Sequence, residues 1–267
     1  MPKIIRFLIH VLLIVLLTAI TQIGGIIYVF VILLISKRIK KYWLKRLIAF
    51  LTLYISATFL VIPFLAPEFG REKVRGKGIN IYNSFYILCN RNYVSKDLNQ
   101  ALIEISEEFR KDYPELELVV LDANFPFING FPLLPHLSHK DGKKIDLAFV
   151  YREPSGEVVN QKVSRLGYGV YEQTREHEFN QSTVCKNQGA WQYDFPKYLS
   201  FGRINKDLEF APNANRRLIQ VIVSHPKVQK VFLEPHLKRR LKLENSKIRF
   251  QGCHSVRHDD HIHLQIK

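Results

Sequence analysis

Two long apolar runs open the chain, and a short basic stretch separates them. The first covers residues 7–35 and the second covers residues 47–65. An α-helix needs roughly 20 such residues to cross a bilayer. The segment between the runs, KRIKKYWLKR at 37–46, carries six cations. The pattern predicts two transmembrane helices, the first of them one long, tilted helix loosened at Gly24-Gly25.

The basic loop at 37–46 also predicts an orientation. A cleavable signal peptide would have a shorter apolar core and no second span after it. The loop has more cations than the N-terminal tail, so the positive-inside rule places it in the cytoplasm. Two crossings then put the chain from about residue 68 outside the inner membrane. A re-entrant hairpin in the first run would move the N-terminus without moving this part.

Beyond the apolar runs, the hydrophobic positions recur at the shorter spacings of a folded domain. An amphipathic helix is predicted over 95–113. Ser95 is a candidate N-cap, and apolar residues follow at helical spacing: Leu98, Leu102, Ile105 and Phe109. Strands are predicted at 115–123, 143–151, 228–235 and 261–266, and further helices at 213–226 and 236–244.

The order of these elements indicates the fold class. They show no regular βαβ repeat, so the sequence predicts an α+β fold, a small antiparallel sheet with flanking helices. The sequence therefore predicts that the chain divides into three segments: a membrane anchor at 1–66, a polar linker at 67–81 and a folded domain at 82–267. A long loop region is expected at 152–212.

Charge is distributed unevenly between these segments. The net charge is +15, and residues 1–66 contribute eight cations and no acid. The remaining excess is moderate, and no RRM, zinc-finger or helix-turn-helix motif accompanies it, which argues against a nucleic-acid partner. A polyanionic surface, such as lipid headgroups or cell-wall polymer, fits the charge at least as well.

The three cysteines exclude two common site types. Cys89, Cys185 and Cys253 form no CxxC pair, so a zinc-finger or thioredoxin-like site is not expected. The sequence allows two states of these cysteines: three free thiols, or one disulfide with one free thiol. Cys185 and Cys253 are the candidate pair if the domain lies in an oxidising compartment.

One cluster of metal-capable side chains lies on the last predicted strand. RHDDHIH, residues 257–263, contains His258, Asp260, His261 and His263. Because strand residues two apart share a face, the last two imidazoles line one side, and the aliphatic residues between and after them pack on the core. An HxH on an exposed strand is often only a polar surface, so this cluster is weak by itself.

A second cluster lies around the strand predicted at 143–151. PHLSHKDGKKID contains His136, His139 and, after a glycine turn, Asp146. Catalytic zinc takes three protein ligands from His, Asp or Glu and keeps one position open. His139, Asp146 and His263 would supply two imidazoles and a carboxylate, with His261 beside the ion to move a proton.

Together the clusters resemble a family of zinc peptidases. HxxHxxGxxxD spans 136–146 and HxxHxH spans 258–263, as in the penicillin-insensitive murein endopeptidases of the lysostaphin, D-alanyl-D-alanine carboxypeptidase and hedgehog group. The resemblance covers residues 82–267. It implies a hedgehog-like fold, with zinc on His139, Asp146 and His263. It also implies that His261 is an active-site residue that does not bind zinc, and that His136 and His258 line the site.

The resemblance leaves the general base open. In the carboxypeptidase branch an acid stands three residues before the zinc-binding histidine, and here that position is Asp260, one methylene shorter than glutamate. The base is therefore either His261 or Asp260. The family's usual disulfide cysteines are not evident in this sequence.

The expected function is that of a membrane-anchored zinc peptidase facing the periplasm. It would hydrolyse peptide bonds in peptidoglycan cross-links, and its partners would be peptidoglycan and the lipid membrane. One alternative is a D,D-carboxypeptidase that trims a terminal D-residue. Another is a non-catalytic wall-binding module whose zinc is closed by His136, His258 or Asp260. A third is a membrane-anchored scaffold with incidental histidines.

Overall fold

The computed structural model describes residues 2–198 and 200–267. Its helices are α1 (Lys3–Thr21), α2 (Gly24–Leu34), α3 (Tyr42–Ser56), α4 (Ile62–Leu65), α5 (Ser84–Leu88), α6 (Lys96–Phe109), α7 (Gln181–Asn187), α8 (Pro212–Ser224) and α9 (Pro235–Arg240). A π-helical turn (Ala57–Val61) joins α3 to α4, and 3₁₀ turns cover Ala66–Phe69 and Trp191–Tyr198. The strands are β1 (Glu72–Lys73), β2 (Ile79–Ile81), β3 (Tyr93–Val94), β4 (Leu118–Val120), β5 (Lys144–Ala148), β6 (Tyr151–Arg152), β7 (Val158–Val159), β8 (Glu209–Phe210), β9 (Val228–Phe232), β10 (Ile248–Arg249) and β11 (His261–Ile266).

The main sheet has six strands in the order β10–β9–β11–β5–β4–β2. Its four central strands pair antiparallel, whereas the edge strands β10 and β2 pair parallel with their neighbours. The predicted α+β class is confirmed, but the sheet is mixed rather than antiparallel throughout. The four predicted strands are its four central strands, and β5, β11 and β9 meet at its centre.

The two faces of this sheet have different roles. Ile145, Leu147, Ile262 and Leu264 are buried in the core on one face, with α6 and α8 packed against that core. Each of these residues alternates with a side chain on the other face, because successive strand residues point to opposite sides. That alternation places the acid and the histidines of β5 and β11 together on the face away from the helices.

Helix α6 forms for the reasons that its sequence suggests. The Ser95 hydroxyl accepts a hydrogen bond from the Leu98 backbone N–H and caps the helix. Leu98, Leu102, Ile105 and Phe109 are all buried in the core. The predicted amphipathic helix is confirmed, and it ends four residues earlier than expected.

The stretch expected to be a linker and the expected long loop both contain paired strands. Within 67–81, β1 pairs with β3 and β2 pairs with β4 of the main sheet. Within 152–212, β6 forms a small sheet with β7 and β8, and α7 is tied to residue 253 by a Cys185–Cys253 disulfide. These two- and three-residue strands are too short to produce a readable period in the sequence.

The first apolar run is a helical hairpin rather than one long helix. Gln22 adopts a left-handed backbone with φ of 67°, and α1 and α2 pack against each other on either side of this break. A Cβ atom on Gly25 would lie 1.9 Å from the Thr18 hydroxyl, so glycine is what lets the helices approach this closely. The His10 ring and the Tyr28 hydroxyl form a hydrogen bond of 2.8 Å across the pair.

The hairpin gathers the N-terminal charges at one end of the helices. The Arg46 guanidinium donates hydrogen bonds to the carbonyl oxygens of Ile32 and Ile35, so α3 starts where α2 ends and runs back beside it. The first residues of α1 lie at this same end, together with the basic loop. The folded domain contacts the opposite end, where Phe127 N donates to the Gln22 side chain at 3.0 Å.

Two helical segments are long and apolar enough to cross a membrane: Lys3–Thr21, and the continuous Tyr42–Phe69. Only 6% and 11% of their most apolar windows is buried within the chain, so neither is a core helix of this fold. Helix α2 has 11 residues, about 16 Å, and is too short to span a bilayer alone. These features indicate membrane association.

Lys162 offers a test of how tightly the domain packs. Its side chain is buried, and its ammonium donates to the Phe149 carbonyl at 3.1 Å. Burial lowers the pKa of Lys162 to about 7. We expect Lys162→Met to stabilise the detergent-solubilised chain by a few kcal/mol at pH 7, since one pKa unit corresponds to about 1.4 kcal/mol. Thermal unfolding measures this.

The gain should depend on pH in a defined direction. Between pH 7 and about 10.5 the unfolded state binds more protons at Lys162 than the folded state, so the wild-type chain gains stability as pH rises. The advantage of Lys162→Met should therefore shrink between pH 7 and pH 9.5. Lys206→Met, at an exposed lysine, is the matched control and should change little. If Lys162→Met gained the same stability at every pH in this range, the lowered pKa of Lys162 would be contradicted.

Candidate metal centre

The centre is built on the pairing of β5 with β11. In this antiparallel register His263 lies directly opposite Asp146, and His261 lies opposite Ala148. Opposed residues share a face, and their Cβ atoms are about 5 Å apart. The sheet register therefore brings the predicted carboxylate and imidazole together across 117 residues of chain, with 2.8 Å between Asp146 Oδ1 and His263 Nδ1.

His139 reaches the same place from the loop before β5. Its Nδ1 donates to the Ala123 carbonyl at 2.7 Å, which fixes the tautomer and leaves the Nε2 lone pair facing the site. The motif glycine Gly142 has φ of 77°, and a Cβ there would lie 2.5 Å from the Arg71 guanidinium. Only glycine allows this turn and this close approach, which together carry the chain from the loop into β5.

Three donor atoms converge at this point. His139 Nε2 lies 3.1 Å from His263 Nδ1 and 3.3 Å from Asp146 Oδ1, and the third separation is the 2.8 Å across the strands. In a tetrahedral site with bonds of about 2.0–2.2 Å, ligand atoms lie about 3.3–3.6 Å apart. The three spacings are close to that value, so a single ion can contact all three atoms. Among the described residues, His263 Nε2 is buried without a hydrogen-bond partner.

A second possible ligand set shares two of these residues. His136, His139 and Asp146 are all buried, and their ligand atoms lie within 4.8 Å of one another, so this group could also hold a metal ion. However, His136 Nδ1 is 2.5 Å from Asp146 Oδ2, and the Tyr168 hydroxyl donates to that same oxygen at 2.9 Å. These two contacts fix the carboxylate and leave its other oxygen, Oδ1, facing His139 and His263.

His261 and Asp260 are linked as a pair. His261 Nδ1 lies 2.5 Å from Asp260 Oδ1, and the other oxygen of Asp260 accepts from the Gly169 backbone N–H at 2.5 Å. A carboxylate can only accept here, so Nδ1 carries the proton and Nε2 faces the site, 3.7 Å from Asp146 Oδ1. Of the two base candidates, His261 presents its Nε2 to the site, and Asp260 holds the ring in place.

The site opens into a cleft of about 350 Å³. His258, His261 and His263 line it, and so do Trp191 and Leu137. The ring of His258 lies 4.9 Å from that of His261, centroid to centroid. The predicted site residues thus all meet in one place, with Asp260 behind His261 and His136 behind Asp146.

Burial and charge set the protonation of the imidazoles. Burial lowers the pKa of His263 to about 4 and that of His258 well below its usual range, so both are neutral at pH 7. Burial also opposes charge on His261, but Asp146 and Asp260 together raise its pKa to about 9. Burial alone would raise the pKa of Asp146, and the surrounding imidazoles hold it well below its usual range. The buried negative charge of Asp146 is therefore balanced in part by the protonated ring of His261, and a cation bound there would take over that role.

A buried polar network supports the last strand from behind. The Tyr193 hydroxyl donates to Glu234 at 2.6 Å, and the other oxygen of that carboxylate accepts from the His258 backbone N–H at 3.1 Å. Arg257 is buried and forms a two-point ion pair with Asp259, so it is neither solvated nor free to hold a substrate. The network fixes the backbone on which His258 and Asp260 stand.

Sequence reasoning missed several supporting residues. Tyr168, Gly169 and Glu234 all contact site residues directly, yet the first two lie in the expected loop, and Glu234, in a predicted strand, carries no sign of its role. Phe232, which stacks on His263 with centroids 5.2 Å apart, follows only from the β9–β11 register. The sequence carries no signal for these contacts, because they are made by long-range packing.

No protein-family model matches this chain, and no curated protein matches it. The structure defines an α+β protein with a buried histidine and aspartate group that could bind a metal ion.

The two ligand sets predict different outcomes on substitution. With His139, Asp146 and His263 as ligands, we expect His139→Ala and His263→Ala to lose bound metal. His136→Ala should retain it with affinity reduced about 10- to 100-fold, the usual effect of losing a supporting contact. Metal content after dialysis, together with competition against a chromophoric chelator, measures both.

The exposed His177 provides the matched control, and His177→Ala should bind metal like the wild-type chain. Affinity should also fall as pH is lowered, because protons compete for the ligand nitrogens. Retention of metal in His263→Ala with its loss in His136→Ala would instead assign the ligand set to His136, His139 and Asp146.

Proposed function

We propose that this chain is a membrane-anchored zinc peptidase that hydrolyses peptide cross-links of peptidoglycan. The observation that carries the proposal is the convergence of His139 Nε2, Asp146 Oδ1 and His263 Nδ1 within 3.3 Å of one another, beside a cleft. Two imidazoles and a carboxylate with an open side are the donor set of catalytic zinc. The two motifs shared with murein endopeptidases suggest the substrate.

The domain assignment belongs to the same proposal. Residues 82–267 would form a peptidase domain of the hedgehog and DD-peptidase type, with 1–66 as its anchor. The catalytic domain would lie on the periplasmic side of the inner membrane. Two features support that side: the basic end of the hairpin lies away from the domain, and the Cys185–Cys253 disulfide suits an oxidising compartment.

The residues around the site have different roles in the proposed reaction. A zinc ion held there would act as a Lewis acid, polarising the scissile carbonyl and lowering the pKa of water. His261 Nε2 faces the site; a cation bound by Asp146 would oppose the positive charge on His261, so that its neutral Nε2 takes the proton from the attacking water. Asp260 keeps the His261 ring oriented and stabilises its protonated form, and Gly169 N–H holds Asp260. Protonated His261 then delivers its proton to the leaving amine.

His258 is placed to assist the oxyanion that forms during hydrolysis. Its ring lines the cleft beside His261, and its low pKa keeps it neutral, so it acts as a hydrogen-bond donor rather than as a charge. His136 and Tyr168 act through Asp146, because both are bonded to the oxygen that faces away from His263. They are positioning residues.

The cleft suits an extended peptide. Trp191 and Phe195 pack edge to face at its wall with 5.6 Å between ring centroids, and Gln192 lies between them in sequence. Apolar surface with a few polar groups is the usual composition of a binding cleft. The stem peptides of peptidoglycan contain D,D bonds that ordinary proteases do not cut, and hydrolysis of such a cross-link is the proposed reaction.

The proposal predicts a separation of metal binding from turnover. Purified full-length chain should convert muropeptide dimers to monomers, and a chelator should abolish the conversion. His261→Ala should lower the rate by about 10²–10⁴-fold, the usual contribution of a general base, while zinc remains bound. Chromatography of the muropeptides and metal analysis of the same samples measure the two quantities.

One control variant and two alternative results complete this experiment. His177→Ala, an exposed histidine outside the cleft, should leave the rate unchanged. Release of D-alanine from pentapeptide monomers, with dimers left intact, would identify a carboxypeptidase instead. Persistence of both substrates with zinc bound would show that the proposed hydrolysis is wrong and would favour a wall-binding module.

A further inference from the structure

The domain rests directly on the end of the membrane hairpin. The Asn90 side chain donates to the Thr21 carbonyl at 3.4 Å, and the Tyr54 hydroxyl of α3 donates to the Leu88 carbonyl at 2.5 Å. The Phe127 backbone N–H is bonded to Gln22 at the hairpin turn. Helix α5 and the loop at 125–135 therefore lie beside the end of the hairpin at Thr21 and Gln22. We call these two segments the rim.

The rim carries no charged side chain of its own, and some of its apolar side chains are exposed. FPFINGFPLLP, residues 125–135, contains no charged side chain, and neither does α5. Ile128 is 58% exposed, Leu134 54% and Phe85 of α5 43%. Exposed apolar surface costs about 25 cal/mol per Å² in water, and a contiguous patch beside a membrane anchor can be covered by lipid.

The uncharged part of α1 is shorter than the apolar layer of a bilayer, although the whole helix is long enough to cross one. The apolar part of α1, from Phe7 to Thr21, has fifteen residues and a length of about 22 Å, against an apolar layer of about 30 Å. The Lys73 ammonium lies 5.5 Å from the ring centroid of Phe59 on the helical segment that continues α3, where a lysine can reach lipid headgroups. Tyr54, which holds Leu88, is five residues before Phe59 and so about 7.5 Å deeper.

From these contacts we propose that the rim inserts into the outer interfacial layer of the membrane, with lipid as its partner. It adds apolar length to the uncharged part of α1. The loop at 125–135 leads directly into His136 and His139, and Pro135 and Leu137 line the cleft. Insertion therefore holds the mouth of the cleft at the membrane surface, where it meets peptides attached to or lying against the bilayer. This inference does not depend on the proposed hydrolysis.

Spin labels can measure the insertion in the full-length chain. Ile128→Cys, Leu134→Cys and Phe85→Cys, each in a Cys89→Ala background, would be labelled and reconstituted in phosphatidylethanolamine and phosphatidylglycerol vesicles. Labels inside lipid collide more with oxygen, and labels in water collide more with a nickel chelate. We expect all three rim positions to favour oxygen by several-fold over Phe179→Cys, an exposed aromatic residue beside the Glu178–Arg240 ion pair.

Leu51→Cys on α3 is the internal standard for a lipid-facing position. Oxygen preference at Leu51 with water-like values at the rim would overturn the proposal and would mean that the bilayer thins around the short helix instead. Water-like values at Leu51 as well would remove the membrane spans, and with them the proposal. Dipolar broadening between labels at Ile128 would show that a second copy of the chain covers the rim, which would also overturn it.

Discussion

The whole site depends on one buried carboxylate, that of Asp146. Its backbone is fixed on both sides, since its N–H donates to the Asp122 carbonyl and its carbonyl accepts from Leu121. One side-chain oxygen is bonded by His136 and Tyr168, and the other faces His139 and His263. An anion with no exposed surface is stable only if cations or donors surround it, and the imidazoles provide them. The same crowding makes the site ready for a divalent cation.

Support for the surrounding histidines comes from separate parts of the chain. His139 is fixed by the Ala123 carbonyl, His261 by Asp260 and through it by Gly169, and the backbone of His258 by Glu234. Each partner satisfies a nitrogen or an N–H group that faces away from the site. The segment at 152–212 therefore has a structural role, because it supplies Gly169, Tyr168 and Tyr193 and is anchored by the disulfide.

The sequence predicts the parts of this arrangement that repeat with a period or follow a fixed spacing. Strand alternation puts His261 and His263 on one face and Ile262 on the other, and the glycine turn puts His139 next to Asp146. It does not predict that Asp260 orients the ring of His261. Asp260 is itself held by a hydrogen bond from the Gly169 backbone N–H, which lies 91 residues away in the chain. The hairpin is missed for a different reason: Gln22, Gly24 and Gly25 mark the break, but the apolar run is too short for two full crossings, so its length favours a single helix.

The hairpin also changes what the charge pattern means. If the first run were one long helix, Lys3 and Arg6 would lie on the opposite side of the membrane from the loop at 37–46. That would go against the usual excess of Lys and Arg on the cytoplasmic side. As a hairpin it places all eight cations of the anchor at one end and the folded domain at the other. The basic loop, the short α1 and the apolar rim then fit the proposed arrangement, in which one face of the domain lies against lipid. Pro135 and Leu137 line the cleft next to the rim, so in that arrangement the hairpin would limit what reaches the site as well as hold the protein in place.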